Sequence, residues 1–371
     1  MSTFAAQPDA VQLNLPAITP RTETVDEVRR CCDAFRSVYE RLRAEIGKVI
    51  VGQHEIVEQT LMALFANGHV LLEGVPGLGK TLLVSTLGKT LTLPYARIQF
   101  TPDLMPADIT GTAIVIEDEK TGHREFSFRP GPIFHQLVLA DEINRATPKS
   151  QAALLEAMQE RSITVAGQTH KLTLPFFVMA TQNPIDQEGT YPLPEAQLDR
   201  FIFKIAVPYT TRQEMNTIIQ RTTRSAQPKV EPVLDGPFIL AAQRLARRII
   251  IAPHVQDYAV RLVLATHPNG AHADPKLARY VHVGVSPRGA QAIVAAAKVK
   301  AMIEGRYAVS IRDVHSLAPA ALRHRIIRSF EAESDGISSD EIIRRLIAFV
   351  PREDSPQSAT ESHGDGKGGA R

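Results

Sequence analysis

The sequence predicts an α/β nucleotide-binding core, with a parallel sheet and two hairpin insertions, followed by an all-α domain. Three observations carry that prediction. Residues 74 to 81 read Gly74-Val75-Pro76-Gly77-Leu78-Gly79-Lys80-Thr81, a phosphate-binding loop of the form G-x-x-x-x-G-K-[ST]. Short apolar runs then alternate with amphipathic stretches as far as about residue 224. From about 233 to 350 the pattern is helical.

The loop has the setting its chemistry needs. The apolar run Val70–Glu73 reads as a strand and Thr81–Leu91 as a helix. Glycines let successive backbone N–H groups turn inward around phosphate oxygens. The helix start adds a partial positive charge. Lys80 is expected to reach the β- and γ-phosphates of a nucleotide, and the Thr81 hydroxyl to hold Mg²⁺. Residues 74 to 81, with Leu82 behind them, form the expected cradle.

Ahead of the loop, Val25, Val28, Cys32, Phe35, Val38, Leu42, Ile46 and Val49 step by three and four, as in an amphipathic helix. Thr24-Val25-Asp26-Glu27 reads as its capping box. Val51-Gly52-Gln53 breaks the pattern, and a second helix is expected from His54 to Asn67. After the loop, strands are expected at residues 95–100, 136–141, 176–181 and 201–207. Helices are expected at 148–161 and 211–221, with a short one at 195–200. Continuous apolar strands between amphipathic helices imply a parallel sheet covered on both faces. Two hairpins interrupt it. Thr112–Ile116 and Arg124–Phe128 flank Asp118-Glu119-Lys120-Thr121-Gly122, and Ile163–Val165 and His170–Leu174 flank Ala166-Gly167-Gln168.

The domain expectations are a disordered arm at 1–23, the core at 24–224, a linker at 225–232, a helical lid at 233–350 and a disordered tail at 351–371. The helices expected in the lid are 238–250, 257–266, 287–304, 311–328 and 339–349. No internal repeat is visible.

Composition narrows the function classes. Lys and Arg total 42 against 40 Asp and Glu, a net charge of +2, so an overall basic footprint for nucleic acid is absent. The two cysteines, Cys31 and Cys32, are adjacent and make neither a disulfide framework nor a metal knuckle. No run approaches membrane-spanning length, and no signal-peptide core opens the chain. A cytoplasmic protein without membrane insertion is the expectation. His54-Glu55 lacks the second histidine that a zinc helix needs.

Hydrolysis needs more than a phosphate loop. Leu137-Val138-Leu139-Ala140-Asp141-Glu142 is an apolar strand ending in paired acids. Asp141 at that end can orient Mg²⁺ through water, and Glu142 can polarise the attacking water. Asn183, ending the next apolar strand, can hold that water from the far side. Arg200 ends the short helix, and Arg288 opens a helix of the second domain. Guanidinium groups stabilise the dispersed negative charge of the transition state.

This ordered set resembles the MoxR family of AAA+ ATPases over about residues 30 to 350. The fold class implied is an AAA+ P-loop NTPase core with a helical lid. Similar to the family too are Val51-Gly52-Gln53, the stretch from Thr101 to Gly111, Gly131-Pro132-Ile133-Phe134, Asp141-Glu142-Ile143-Asn144-Arg145-Ala146 and Leu154-Leu155-Glu156-Ala157-Met158. The resemblance makes Lys80, Asp141, Glu142, Asn183, Arg200 and Arg288 the catalytic set. It implies an ATP-dependent homo-oligomer, a hexamer, with each site at a subunit boundary. Arg200 would act in trans as a finger and Arg288 in cis, with ATP between core and lid and Val51 and Gly52 near the adenine. The partners implied are a client protein complex that is remodelled or activated and a separate von Willebrand factor A protein.

Two other classes compete with this reading. A DNA-directed AAA+ motor or clamp-loader-like ATPase would want basic hairpins. Here one hairpin mixes Glu117, Asp118, Glu119, Lys120, His123 and Arg124, and the other carries few charges. A nucleotide switch that does not hydrolyse would not need the acid pair and both arginines.

Overall fold

Helix α1 (Val25–Val49) buries Cys31, Cys32, Phe35, Val38, Tyr39, Leu42 and Ile46, the stripe that three-and-four spacing requires. Burial pushes the Cys32 thiol up to about 11, so it is a small apolar side chain rather than a thiolate. The computed structural model describes residues 13–20, 24–74, 77, 79–117, 124–183, 190–223 and 228–352. The expected N-terminal arm and C-terminal tail lie largely outside these residues. So do Val75, Pro76 and Leu78, the first hairpin's turn and residues 225–227 of the linker.

The chain continues through α2 (His54–Phe65), β1 (Val70–Glu73), α3 (Lys80–Thr90), β2 (Tyr95–Gln99) and α4 (Pro106–Thr110). The first hairpin is β3 (Gly111–Glu117) with β4 (Arg124–Pro130), and β5 (Leu137–Asp141) and α5 (Pro148–Glu160) follow. The second hairpin is β6 (Ser162–Val165) with β7 (Gln168–Lys171), ahead of β8 (Phe177–Gln182), α6 (Glu195–Leu198), β9 (Phe203–Ala206) and α7 (Arg212–Thr222). Thr24 takes the N-cap of α1 without a side-chain capping bond, so the box expected there does not form. Thr211 and Glu214 make one at α7 instead.

The central sheet is parallel, in the order β2-β5-β8-β1-β9. Its apolar residues alternate sides. Val70, Leu72, Leu137, Leu139, Phe177 and Met179 enter one buried cluster, and Leu71, Val138, Ala140, Val178 and Ala180 the other. Helix α5 covers the second face, and α1, α2 and α3 the first. Both hairpins form and stand apart from the sheet, but Gln168, expected in the second turn, pairs with Val165, and the strand expected to reach Leu174 ends at Lys171. Ala166 and Gly167 both have positive φ, the two-residue hairpin turn. His170 of the second hairpin stacks on Phe128 of the first at 4.0 Å between ring centres. Val115 and Phe126 stay exposed on the first.

The second domain holds α8 (Gly236–Arg247), α9 (Pro253–Leu264), α10 (Pro275–Ala278), α11 (Pro287–Ile303), α12 (Ile311–Leu322), α13 (Phe330–Ser334) and α14 (Ser339–Phe349). It is not purely helical. Strand β10 (Val281–Val283) pairs antiparallel with β11 (Ile327–Arg328), where a continuation of α12 was expected. Helices α8, α9, α11, α12 and α14 share one apolar cluster with α1, α2, α3 and the sheet. The domain therefore packs on the core instead of standing over the phosphate loop.

Candidate functional site

Three adjacent strands, in the order β5-β8-β1, end together at the carboxyl edge of the sheet, where α/β proteins hold their ligands. Glu73 and Gly74 end β1, Asp141 and Glu142 end β5, and Asn183 follows β8. The expected phosphate-loop, acid-pair and amide residues are thus brought to one edge.

Gly77 and Gly79 have φ of +85° and +76°, and a Cβ there would meet nothing within 4 Å. Space is not what demands glycine; the left-handed backbone that turns amides inward is. Lys80 Nζ donates to the Gly74 carbonyl at 2.6 Å. Burial pulls the Lys80 ammonium below its usual range, opposed by the charges of Asp141, Glu142 and Glu73. A polyphosphate would supply the countercharge missing there. Thr81 is exposed and opens α3 beside Lys80.

The acids are held mostly by side chains on adjacent strands, which no local motif marks. Thr181 donates its hydroxyl proton to Asp141 Oδ1 at 2.6 Å and accepts the Glu142 N–H at 2.9 Å. Arg97 binds Asp141 Oδ2 at 2.7 Å. Glu142 Oε2 accepts from Gln99 at 3.1 Å and from Arg145 at 3.0 Å. The Glu142 backbone is left-handed at φ 56°, a conformation uncommon outside glycine that points to a positioned side chain. Glu73 accepts from Gln182 at 2.5 Å and from Lys204 at 2.7 Å. Thr181, Arg97 and Gln99 were missed by sequence reasoning, because cross-strand partners have no short-range signature; Arg145, three residues past Glu142 in a stretch already singled out, was given no role.

The donor set suits Mg²⁺ with a triphosphate: a hydroxyl at the helix start, a carboxylate two strands over and a half-buried ammonium. Among the described residues no cluster of three or more His, Cys, Asp or Glu could hold a metal by itself, as fits an ion bound largely through phosphate and water. The loop Val51-Gly52-Gln53 lies against α7. Gly52 has φ +65°, and a Cβ there would stand 2.0 Å from Glu214 Oε1. Arg221 of α7 donates to the Gly47 and Lys48 carbonyls, tying α7 to the end of α1. Beside them opens a cavity of 800 Å³ lined by Val49, Leu82, Thr86, Lys89, Arg221 and Lys229.

The two arginines lie elsewhere. Arg200, Arg288, Asp199 and Arg325 line a 360 Å³ pocket with Gly68 and His69, which precede β1, and Ile202, which precedes β9. That is the amino edge of the same sheet. Strand β1 separates it from Lys80 by on the order of 10 Å. Arg288 stands 3.8 Å from Asp199, and Arg200 donates to the Leu155 carbonyl at 2.6 Å. The expectation that Arg288 serves its own chain's phosphate loop in cis, with ATP between core and lid, is therefore corrected. Residues 228–233 run beside α3, where the Val233 N–H bonds the Thr90 carbonyl, and His324 and Arg325 dock the second domain on the backbone before β9. His69 forms the pocket floor. Its Nδ1 accepts the Val178 N–H at 3.0 Å and its Nε2 lies 3.3 Å from the Met158 carbonyl, so the neutral ring with the proton on Nε2 satisfies both. Burial pushes its pKa down to about 4.

Comparison with known proteins gives the family. Residues 69–203 match the ATPase family associated with various cellular activities (AAA), and residues 277–346 match the AAA lid domain. The chain is 43% identical over 311 residues to Chaperone MoxR1 of Mycobacterium tuberculosis, covering 84% of this chain and 81% of that one. It is 44% identical over 308 residues to the uncharacterized protein YeaC of Bacillus subtilis, covering 82% and 92%. A crystal structure of a putative ATPase from Cytophaga hutchinsonii superposes with a TM-score of 0.79 at 37% identity, covering 88% of this chain and 97% of that one. The chain belongs to the MoxR family of AAA+ ATPases.

Proposed function

We propose that this protein is a Mg²⁺-dependent ATPase of the cytoplasm. It works as a chaperone-like remodeller of a partner protein complex, in a closed ring of six copies. One observation carries the reading: the phosphate loop with its acids and the arginine pair occupy opposite edges of one sheet. A single chain cannot bring them together. Copies stacked head to tail can, and a head-to-tail contact that closes makes a ring. Arg200 and Arg288 then both act in trans. The relative named Chaperone MoxR1 supports the chaperone role. A separate von Willebrand factor A protein remains the proposed helper.

In this mechanism Lys80 and the loop amides bind the β- and γ-phosphates, and the 800 Å³ cavity by Val49 and Leu82 accepts the base. Thr81 and Asp141 would hold Mg²⁺, which would supply positive charge to the phosphate oxygens. Glu142 takes a proton from the attacking water as its oxygen bonds to the γ-phosphorus. The bond to the β–γ bridging oxygen breaks, and ADP leaves with that electron pair. Asn183 orients the water, and the neighbour's arginines stabilise the charge that develops.

Mixing two dead variants tests the arrangement. Lys80→Ala chains keep good arginines, and Arg200→Ala chains keep a good phosphate loop. Each alone should be inactive, and mixed rings should recover phosphate release. Absence of recovery in rings verified to contain both chains would refute action in trans.

A further inference from the structure

Arg325 is a buried cation, its side chain 3% exposed, and the steps assigned above give it no role. It follows α12, yet its guanidinium spends most of its donors on the core segment that carries Arg200. Nε binds Asp199 Oδ1 at 2.7 Å. One terminal nitrogen binds the Asp199 carbonyl at 3.0 Å and the Phe201 carbonyl at 2.8 Å. The other reaches the Ile202 carbonyl at 3.3 Å and the Ala321 carbonyl of α12. His324 adds a bond to the Phe201 carbonyl at 2.9 Å. The backbone on either side of Arg200 is thus gripped from the second domain.

The other half of the Asp199 carboxylate points to Arg288. Oδ2 accepts the Ser286 hydroxyl at 2.8 Å, and that hydroxyl caps α11 by accepting the Arg288 N–H at 3.2 Å. Asp199 therefore joins the Arg200 segment, Arg325 and the start of the Arg288 helix through one side chain. A buried ion pair contributes little more to stability than apolar residues of the same size. Its distinctive effect is directional: a planar fork sets the position of a carboxylate and three core carbonyls at once.

We propose that Arg325, acting through Asp199, is a positioning residue that holds Arg200 and Arg288 as one unit aimed at the neighbouring chain's γ-phosphate. It rests on the ring arrangement proposed for the phosphate site. The second domain then acts on hydrolysis next door, because moving α12 moves Arg200. It does not need to swing over its own nucleotide.

Three variants test this: Arg325→Lys, which keeps the charge but loses the fork; Asp199→Asn, which keeps the volume; and Ser286→Ala, which removes only the link to α11. A misplacement of about 1 Å can cost on the order of 10²-fold in rate. Arg325→Lys and Asp199→Asn should lower kcat by about that factor with KM for ATP little changed, and Ser286→Ala should lower it less. Complementation separates positioning from general damage. In mixed rings, activity should return with Lys80→Ala chains, which supply intact arginines, and should not return with Arg200→Ala chains. Return with Arg200→Ala, return with neither, or a kcat within twofold of wild type for both Arg325→Lys and Asp199→Asn overturns the proposal. If Ser286→Ala alone folds, its kcat must fall and show the same complementation pattern, or the proposal fails. If Arg200→Ala itself is not restored by Lys80→Ala, the ring arrangement fails, and this inference with it.

Discussion

The two edges of the central sheet are built on opposite principles. At the carboxyl edge the reactive groups are local and open: Gly77, Gly79, Lys80 and Thr81 follow one another in sequence, and Thr81 is exposed. Asp141 and Glu142 are adjacent and trimmed by short cross-strand bonds. At the amino edge Arg200, Arg288 and Arg325 come from three separated segments and meet only because the second domain docks there. One edge is a ligand cradle that any strand–loop–helix unit can make. The other is a tertiary assembly whose position depends on an apolar cluster shared by both domains. In a ring one edge would face the other, so the neighbour's folded state becomes part of each site's chemistry.

Removing Arg200 should have the largest effect, because finger arginines are worth about 10³- to 10⁵-fold in kcat. Phosphate release by homogeneous Arg200→Ala rings measures it, and a loss below tenfold would break the division between the edges. Next comes Glu142→Gln, expected to lower kcat by about 10²- to 10⁴-fold with fluorescent-nucleotide binding retained. Unchanged turnover would remove Glu142 from water activation. The same variant, holding nucleotide without turnover, is the form in which to capture the client.

A smaller effect comes from His69 and reads on stability. The folded pKa, about 4, lies below the unfolded value near 6.5. The unfolded chain therefore binds the extra proton first. The stability His69 contributes is whole above pH 6.5 and is lost as pH falls toward 4, to a total of about 3 kcal/mol. Urea melts at stepped pH should show this slope reduced in His69→Gln. His324 drifts the same way, through burial first and then the Arg325 charge, and leaves a residual slope. Equal slopes in both proteins would mean that His69 is protonated in the fold. The smallest effect belongs to neither edge. Phe126 is 79% exposed on the first hairpin, so Phe126→Ser should change stability by no more than about 0.5 kcal/mol and leave basal phosphate release intact. A large loss of basal activity would tie the hairpin to the site itself.

Much of the carboxyl edge was legible because its groups sit within a few residues of one another or at the ends of apolar runs. The hairpins were legible because period-two strands and a turn such as Ala166-Gly167 are local signals. The β10–β11 pair was not: Ile327–Arg328 continues a helical apolar pattern, and its partner lies more than 40 residues earlier. The partners of the acids escaped for a similar reason. Thr181 and Arg97 lie on neighbouring strands, and only the sheet order makes them neighbours of Asp141.

By itself the sequence determined the parallel sheet, the phosphate loop and the acids at a strand end, because backbone conformation and strand-end chemistry are set by residues close in the chain. Only the tertiary structure decided where the second domain sits and which way its arginine faces. Docking depends on buried side chains far apart in sequence, with His324 and Arg325 gripping the backbone before β9. No spacing rule encodes that choice of partner.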